Sequence, residues 1–294
     1  MKNIEYDLVI MGATGFTGKL VVEYLIENYG VENEEFTWAI AGRDINKLER
    51  LRSSFKYIDS NSNKIPRLVV DSHDTNSLDK MTSISRLVIS TVGPYLKFGE
   101  ALVESCVKHG THYCDLTGEV PFIRKSIDAF DIKAKKNNCR IVHSCGFDSV
   151  PSDIGVLLLQ MDSLKRFDKP CDEVNLYVRS IRGGLSGGTI DSMISIFKYM
   201  GSNPGHRKLL KSPFSLNPRE SLKNNTWQPI LKSVKWDDDI QRWLCPFIMA
   251  GFNSRIVMRT NAITDYRYGI DFKYSEVSSY KKGLRGFLKA VVMF

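Results

Sequence analysis

The stretch Val9-Ile-Met-Gly-Ala-Thr-Gly-Phe-Thr-Gly18 decides how this chain is read. A mostly apolar run, Tyr6–Met11, suits a strand buried on both faces of a parallel sheet. Three glycines follow at the spacing Gly12-x-x-Gly15-x-x-Gly18, and a helical pattern runs over Phe16–Asn28. A turn in that position is suited to phosphate. The first glycine permits a tight bend, the second lets backbone N–H groups approach a pyrophosphate, and the third lets helix and strand pack closely. The helix N-terminus adds free N–H groups and the positive end of a dipole. Thr14, Phe16 and Thr17 complete the expected cradle. A bare glycine triplet is a weak sign, whereas one set inside a βαβ unit of about 30 residues is strong.

The rest of the first half repeats this alternation. Further strands are predicted at Thr37–Ala41, Arg67–Val70, Leu87–Thr91, His112–Asp115 and Ile141–Ser144. Helical patterns fall around Lys47–Leu51, Glu100–Lys108 and Phe122–Lys136, and Leu20, Val21, Tyr24 and Leu25 form the expected apolar stripe of the first helix. Alternation of this kind implies right-handed crossovers and a doubly wound parallel sheet, hence an α/β Rossmann domain over residues 1–150. Past Pro151 the pattern changes, and residues 151–294 are expected to form a second, α+β substrate domain with an antiparallel sheet. Its expected elements are a helix over Asp153–Gln160 capped by Ser152 or Asp153, an alternating run Glu173–Ser180 and a helix near Ile190–Met200. A glycine cluster lies at Gly183–Gly188, a Pro/Asn-rich loop spans Ser202–Pro229, and strand-like runs cover Ser254–Thr260 and Arg267–Tyr274. The final residues, Gly-Leu-Arg-Gly-Phe-Leu-Lys-Ala-Val-Val-Met-Phe294, open an apolar helical segment too short to span a bilayer.

Composition narrows the class. At 294 residues with 43% apolar and 25% charged residues, the chain can bury a sizeable core. Six cysteines show no CxxC pair and no regular spacing, which argues against structural zinc or a disulfide framework and suits a reducing compartment. No metal site is expected. The N-terminus carries no h-region or Arg/Ser-rich transit segment, so a cytoplasmic location is the expectation. The net charge of +8 is uneven: residues 1–150 hold 19 basic against 20 acidic side chains, residues 151–294 hold 22 against 13. A basic second half suits an anionic substrate or an acidic membrane surface, or is ordinary solvated surface. Nucleic acid is not expected, because no basic tract with interleaved aromatics occurs.

The second strand end selects the cofactor. NAD enzymes usually place an acid there for the ribose 2′-hydroxyl; here Ala41-Gly42-Arg43 stands, about 25 residues after Gly18. An arginine fork pairs well with a 2′-phosphate, so NADP(H) is favoured over NAD(H). Asp44, next in sequence, either caps the following helix or reaches the ribose. Asp71 ends the third strand, where an adenine would lie, or serves as a turn former, and Ser90-Thr91-Val-Gly93-Pro94-Tyr95 ends the fourth, with Tyr95 either pointing into a nicotinamide pocket or packing behind the turn. Asp115, Glu119 and Asp148 follow later strands and could converge on one cleft as general acids or bases, or brace loops. His112 and His143 fall inside predicted strands and are read as packed. No Tyr-x-x-x-Lys dyad placed for catalysis, metal-ligand cluster or nucleophile elbow occurs.

The ordered set Val9–Gly18, Ala41-Gly-Arg43, Val92-Gly-Pro-Tyr95, Asp115-Leu-Thr-Gly-Glu119 and Ser144-Cys-Gly-Phe-Asp-Ser-Val-Pro151 resembles the saccharopine dehydrogenase-like oxidoreductase family. The branch it is most similar to holds the mycobacterial trans-acting enoyl reductases and an animal saccharopine dehydrogenase-like oxidoreductase. The resemblance covers residues 5–160, and more loosely Gly187-Gly-Thr189 and the tail. It implies an NADP-type Rossmann domain, a second α/β domain and a link to lipid or glycolipid metabolism, with lipid-droplet or membrane contact in animal members. It also implies a chain that is C-terminally incomplete relative to the family. The expected partners are a small-molecule or lipid-linked substrate, with peripheral membrane or lipid-droplet contact and a homodimer as further options. Three functional readings stay open. The first is an NADPH-dependent reductase of a hydrophobic, lipid-linked carbonyl or enoyl group. The second is a saccharopine-type enzyme of lysine metabolism, for which Arg179, Arg182 and Arg255 are the candidate carboxylate binders. The third is a weakly catalytic nucleotide-binding scaffold at lipid surfaces.

Overall fold

The computed structural model of the protein describes residues 3–180, 187–202, 209–221 and 226–293. The described residues divide into two compact units, the first running to Cys145 and taking in the later helix Gly187–Ser202, the second holding the remainder.

Unit 1 is built on six parallel strands: β1 (Tyr6–Met11), β2 (Trp38–Gly42), β3 (Arg67–Val69), β4 (Ser85–Ser90), β5 (His112–Asp115) and β6 (Ile141–Val142). Their order is β3-β2-β1-β4-β5-β6, with the chain reversing direction of travel across the sheet at β1, as in a doubly wound Rossmann fold. The central strands explain their own placement. Val9, Ile10 and Met11 of β1 and all of β2 are buried, as a strand covered by helices on both faces requires. Helices α1 (Phe16–Tyr29), α2 (Ile45–Ser54), α3 (Thr75–Ser83), α4 (Tyr95–Phe98), α5 (Glu100–His109) and α6 (Val120–Lys136) alternate with them.

The first helix departs from its expected face. The stripe on α1 was to include Leu20 and Tyr24, but both are exposed, and the buried face is Gly18, Val22, Leu25 and Ile26. The cause is Gly18. It sits against the loop after β1, and the residues four, seven and eight positions on must share its face.

Unit 2 opens with α7 (Val150–Phe167), longer than the expected Asp153–Gln160 and starting earlier because Pro151 fits the first helical turn. Its N-cap is Ser149, without a side-chain capping bond, instead of Ser152 or Asp153. Strands β7 (Glu173–Val178), β8 (Lys235–Asp237), β9 (Arg242–Pro246) and β10 (Lys273–Tyr280) form a sheet of order β7-β10-β9-β8. The sheet is mixed, not antiparallel throughout, since β10 runs parallel to β7 and antiparallel to β9. The helix α8 (Gly187–Ser202) belongs to unit 1, whereas α9 (Ala250–Ile263) and α10 (Leu284–Val292) belong to unit 2. The expected strand Ser254–Thr260 is therefore helix, and Arg267–Tyr274 is mostly the turn preceding β10. Most of the glycine cluster Gly183–Gly188, together with Arg182, lies outside the described residues.

The core of unit 2 gathers Val156, Val174, Phe214, Val257, Met258, Tyr268, Phe272 and Tyr274. Beside it Asn253, fully buried, donates to the Asp148 carbonyl, Ser152 Oγ and Glu276 Oε1, and accepts from Ser149 Oγ. Asp153 is less well served. Oδ2 accepts from Thr260 Oγ1 at 2.9 Å, but Oδ1 is buried with no hydrogen-bond partner. Burial pushes its carboxyl up to about 6, against the lowering pull of Thr260. The folded state thus binds this proton more tightly than the unfolded chain does. The resulting stability is present at low pH and is lost as pH rises through about 6. Asp153→Asn is expected to raise the thermal midpoint at about pH 7.5, with the gain vanishing below about pH 4; paired melting curves across this range check it.

Candidate functional site

The loop between β1 and α1 is shaped by contacts that exclude side chains. Gly12 has φ +86°, and a Cβ there would lie 2.7 Å from Val92 Cγ2 and 2.8 Å from Thr91 Oγ1. At Gly18 a Cβ would meet the Gly12 carbonyl oxygen at 2.2 Å. Gly15 is different: a Cβ there would meet only the Gly12 oxygen, at a tight 3.3 Å, and the residue is exposed. Gly12 N–H and Ala13 N–H both donate to the Ala41 carbonyl, tying the loop to β2. Thr91 donates through Oγ1 to the Met11 and Gly12 carbonyls, bracing the loop from β4.

The first turn of α1 is left open. Its N-cap, Gly15, offers no side-chain acceptor, and no acidic residue stands in the turn. Thr14, Gly15 and Phe16 are exposed around it. A helix start without an internal acceptor, beside a loop kept clear by glycines, fits the pyrophosphate of a dinucleotide.

At the end of β2 the two adjacent charged residues divide their roles. Asp44 Oδ1 accepts from Asn46 N–H at 2.8 Å and Lys47 N–H at 3.1 Å, capping α2 and holding its carboxyl below the usual range. It is engaged by its own helix. Arg43 is exposed and makes no hydrogen bond or ion pair among the described residues. Asp71, at the end of β3, turns its Oδ1 onto His73 N–H at 2.9 Å and so closes its own turn.

At the fourth and fifth strand ends the candidate side chains turn inward. Tyr95 follows a cis Gly93–Pro94 peptide, but its ring is buried beside Phe122 and its hydroxyl donates to the Ser90 carbonyl at 3.0 Å. It does not point into an open pocket, and burial raises its phenol, helped by the Asp115 charge. The Asp115 carboxylate, fully buried, accepts four bonds: Thr117 N–H and Ser144 N–H on Oδ1, Tyr113 OH and His143 Nδ1 on Oδ2. Glu119, also fully buried, accepts Tyr95 N–H and Ser192 Oγ–H on Oε1 and Leu96 N–H on Oε2. It supplies an anion to the start of α4 and holds α8 to it. Thr117 links the two acids, its N–H on Asp115 and its Oγ1 accepting Glu119 N–H. Asp148 lies in unit 2, exposed, with no side-chain partner among the described residues.

The reading of His143 as a packed strand residue misses its bonds. It stands just past β6, buried against Phe122 and Tyr113, with Nδ1 2.7 Å from Asp115 Oδ2 and Nε2 2.9 Å from Ser126 Oγ. The sheet register contains the signal. Cys114 pairs with Val142, so the next residues, Asp115 and His143, come level. Ser126 and Ser192 are distant in sequence and carry no comparable sign. Of the candidate carboxylate binders, Arg255 is buried and donates to the Gly251 and Leu210 carbonyls and to Ser215 Oγ, and burial lowers it to about 10. It is committed inside unit 2. Arg179 is exposed, and Arg182 lies outside the described residues.

Fold and loop together define unit 1 as a dinucleotide-type Rossmann unit. Residues 8–142 match the family model described as saccharopine dehydrogenase NADP binding domain. A putative trans-acting enoyl reductase of Mycobacterium tuberculosis is 38% identical over 280 residues, covering 94% of this chain and 65% of the relative. The trans-acting enoyl reductase of Mycobacterium bovis is 34% identical over 286 residues, covering 95% and 67%. An apo saccharopine dehydrogenase (L-Glu forming) structure from Saccharomyces cerevisiae superposes with a TM-score of 0.45 at 17% identity, over 58% of this chain and 34% of that one. The chain belongs to the saccharopine dehydrogenase-like oxidoreductase family, in the branch of the trans-acting enoyl reductases. It spans about 65% of the length of the first of these relatives.

The bonding of Asp115 predicts its role. Asp115→Ala strands His143, the Tyr113 hydroxyl and two backbone N–H groups, and should lower unfolding free energy by about 3–5 kcal/mol. Denaturant titration checks this; an unchanged midpoint would remove Asp115 as the brace of this region.

Proposed function

We propose that the protein is an NADP(H)-dependent oxidoreductase that reduces a hydrophobic or lipid-linked enoyl or carbonyl group. One observation carries the cofactor half: Arg43 stands uncommitted at the end of β2 while Asp44 is consumed as a helix cap. The open start of α1 would take the pyrophosphate, with Gly15 at the closest approach, and Arg43 would pair with the 2′-phosphate. Bound there, the cofactor supplies a hydride. Thr91, Gly93 and Pro94 would border its nicotinamide end from β4, and Asp71 its adenine end from β3. The enoyl substrate rests on the relatives' names, trans-acting enoyl reductase.

On this reading Tyr95, Asp115 and Glu119 act by position. Each has its polar atoms engaged within unit 1, so they hold the strand-end loops in shape and do not exchange protons with a ligand. Asp148, the remaining candidate acid, is an exposed side chain of unit 2 with no side-chain partner among the described residues. The buried, inward-bonded Arg255 does not favour a saccharopine-type substrate. No helix among the described residues is long and apolar enough to cross a membrane. Contact with a lipid surface would instead use α10, where Leu284, Leu288, Val291 and Val292 form an exposed apolar face flanked by Lys281, Lys282, Arg285 and Lys289.

Titration with NADPH and NADH tests the core of the proposal. NADPH is expected to bind more tightly, and Arg43→Ala to weaken NADPH about 10–100-fold while leaving NADH nearly unchanged. Gly15→Val, whose side chain would enter the space reserved for the pyrophosphate, should abolish both. Equal affinity of the parent protein for the two nucleotides would overturn the role of Arg43, and retained binding by Gly15→Val would overturn the cradle itself.

A further inference from the structure

Unit 1 contains a second concavity, apart from the glycine cradle. It is a cavity of about 310 Å³ whose walls come from α4, the start of α5, α6 and α8. Leu96, Pro121, Phe122 and Phe130 make it apolar. Its charged lining is unbalanced: Lys97, Lys125 and Lys198 face a single carboxylate, Glu100. Lys125 donates to Glu100 at 2.6 Å, so that pair is internally neutral. Lys97 and Lys198 are exposed and form no hydrogen bond or ion pair among the described residues. Two cations thus stand uncompensated beside an apolar hollow.

Ser126, Ser195 and Tyr199 add hydroxyls to the same lining. Ser126 is 5% exposed, and its hydroxyl is fixed by His143, which is fixed in turn by Asp115. The cavity therefore offers apolar walls, the hydroxyls of Ser126, Ser195 and Tyr199, and two free ammonium groups. A nucleobase or sugar would leave the walls poorly matched, and a neutral hydrocarbon would leave the lysines unused. The size is at the lower end of the range of small-molecule sites, about 300–1,000 Å³.

We propose that this cavity binds a medium-length acyl chain bearing an anionic end, with the chain against Phe122 and Phe130 and the anion at Lys97 and Lys198. The inference rests on the proposed function only in treating that chain as the substrate's; the binding site stands on the cavity itself. An anion at the rim gains most at low salt, because both lysines are exposed.

The test uses the full chain and a series of saturated fatty acids, octanoate to dodecanoate, with decyl phosphate and decanol alongside. Isothermal titration gives each affinity, and NADPH binding is measured on the same preparation. Each added methylene should tighten carboxylate binding by up to about fourfold until the cavity is filled. Decanoate and decyl phosphate should both exceed decanol about tenfold or more, and a preference between them identifies the anion. The double variant Lys97→Glu, Lys198→Glu should lose that margin while keeping the parent melting temperature, since both side chains are exposed. Decanol binding as tightly as decanoate, or a variant that binds decanoate unchanged, overturns the inference. NADPH binding without any fatty-acid binding overturns it too and leaves the cofactor reading intact; fatty-acid binding without NADPH does the reverse.

Discussion

The approach of α1 to the loop after β1 sets much of unit 1. The Gly12 carbonyl oxygen occupies the space that a side chain at Gly18 would need, so helix and strand meet at backbone distance. That contact fixes the rotation of α1 and sends Val22, Leu25 and Ile26 into the core with Trp38, Ile40 and Phe55. The same contact points the first turn of the helix outward with no internal acceptor for its N–H groups. Packing and anion affinity are therefore one feature. A bulkier residue at Gly18 would be opposed by the fold, and one at Gly15 chiefly by a ligand.

Beside this cradle lies a region whose stability depends on buried carboxylates. A buried negative charge is tolerable only when hydrogen bonds replace the lost water. Asp115 has four donors and Glu119 three. The donors come from β5 and the loop after it, the loop after β6, the start of α4 and α8, so the two acids join these elements. Both carboxylates are filled by donors of unit 1, and the sequence alone leaves a strand-end Asp-x-x-x-Glu open between bracing of this kind and acid–base work.

The legibility of the chain follows from where burial is two-sided. Strand β2 and the buried end of β1 are apolar because helices cover both faces, and β5, with its short pairing to β6, keeps recognisable ends; all could be read directly. The glycine turn was equally plain, because its chemistry depends on immediate neighbours, whereas Asp44 stood open between helix cap and ribose partner until its bonds to Asn46 and Lys47 were seen. Unit 2 was harder. In α9 the buried positions include Asn253, Arg255 and Asn261, so polar residues interrupt the apolar period that announces a helix. Those residues are buried because they bond to partners over 20 residues away or across a turn, as with Asn253 and Glu276, and sequence spacing carries no trace of that. The partition of residues between units was also hidden, since α8 returns to unit 1 through Ser192 and Glu119 across 73 positions.

His143 shows how a partial reading can be extended. A histidine one step past a strand is ambiguous alone, but parallel pairing of Cys114 with Val142 makes Asp115 its neighbour. A carboxylate at one ring nitrogen orients the imidazole and leaves the other nitrogen for a second partner. That partner is Ser126, on the helix that lines the lysine-rimmed cavity. Asp115 is thus linked through the imidazole to a hydroxyl on α6, whereas the cradle loop is held separately, by the Ala41 carbonyl and by Thr91.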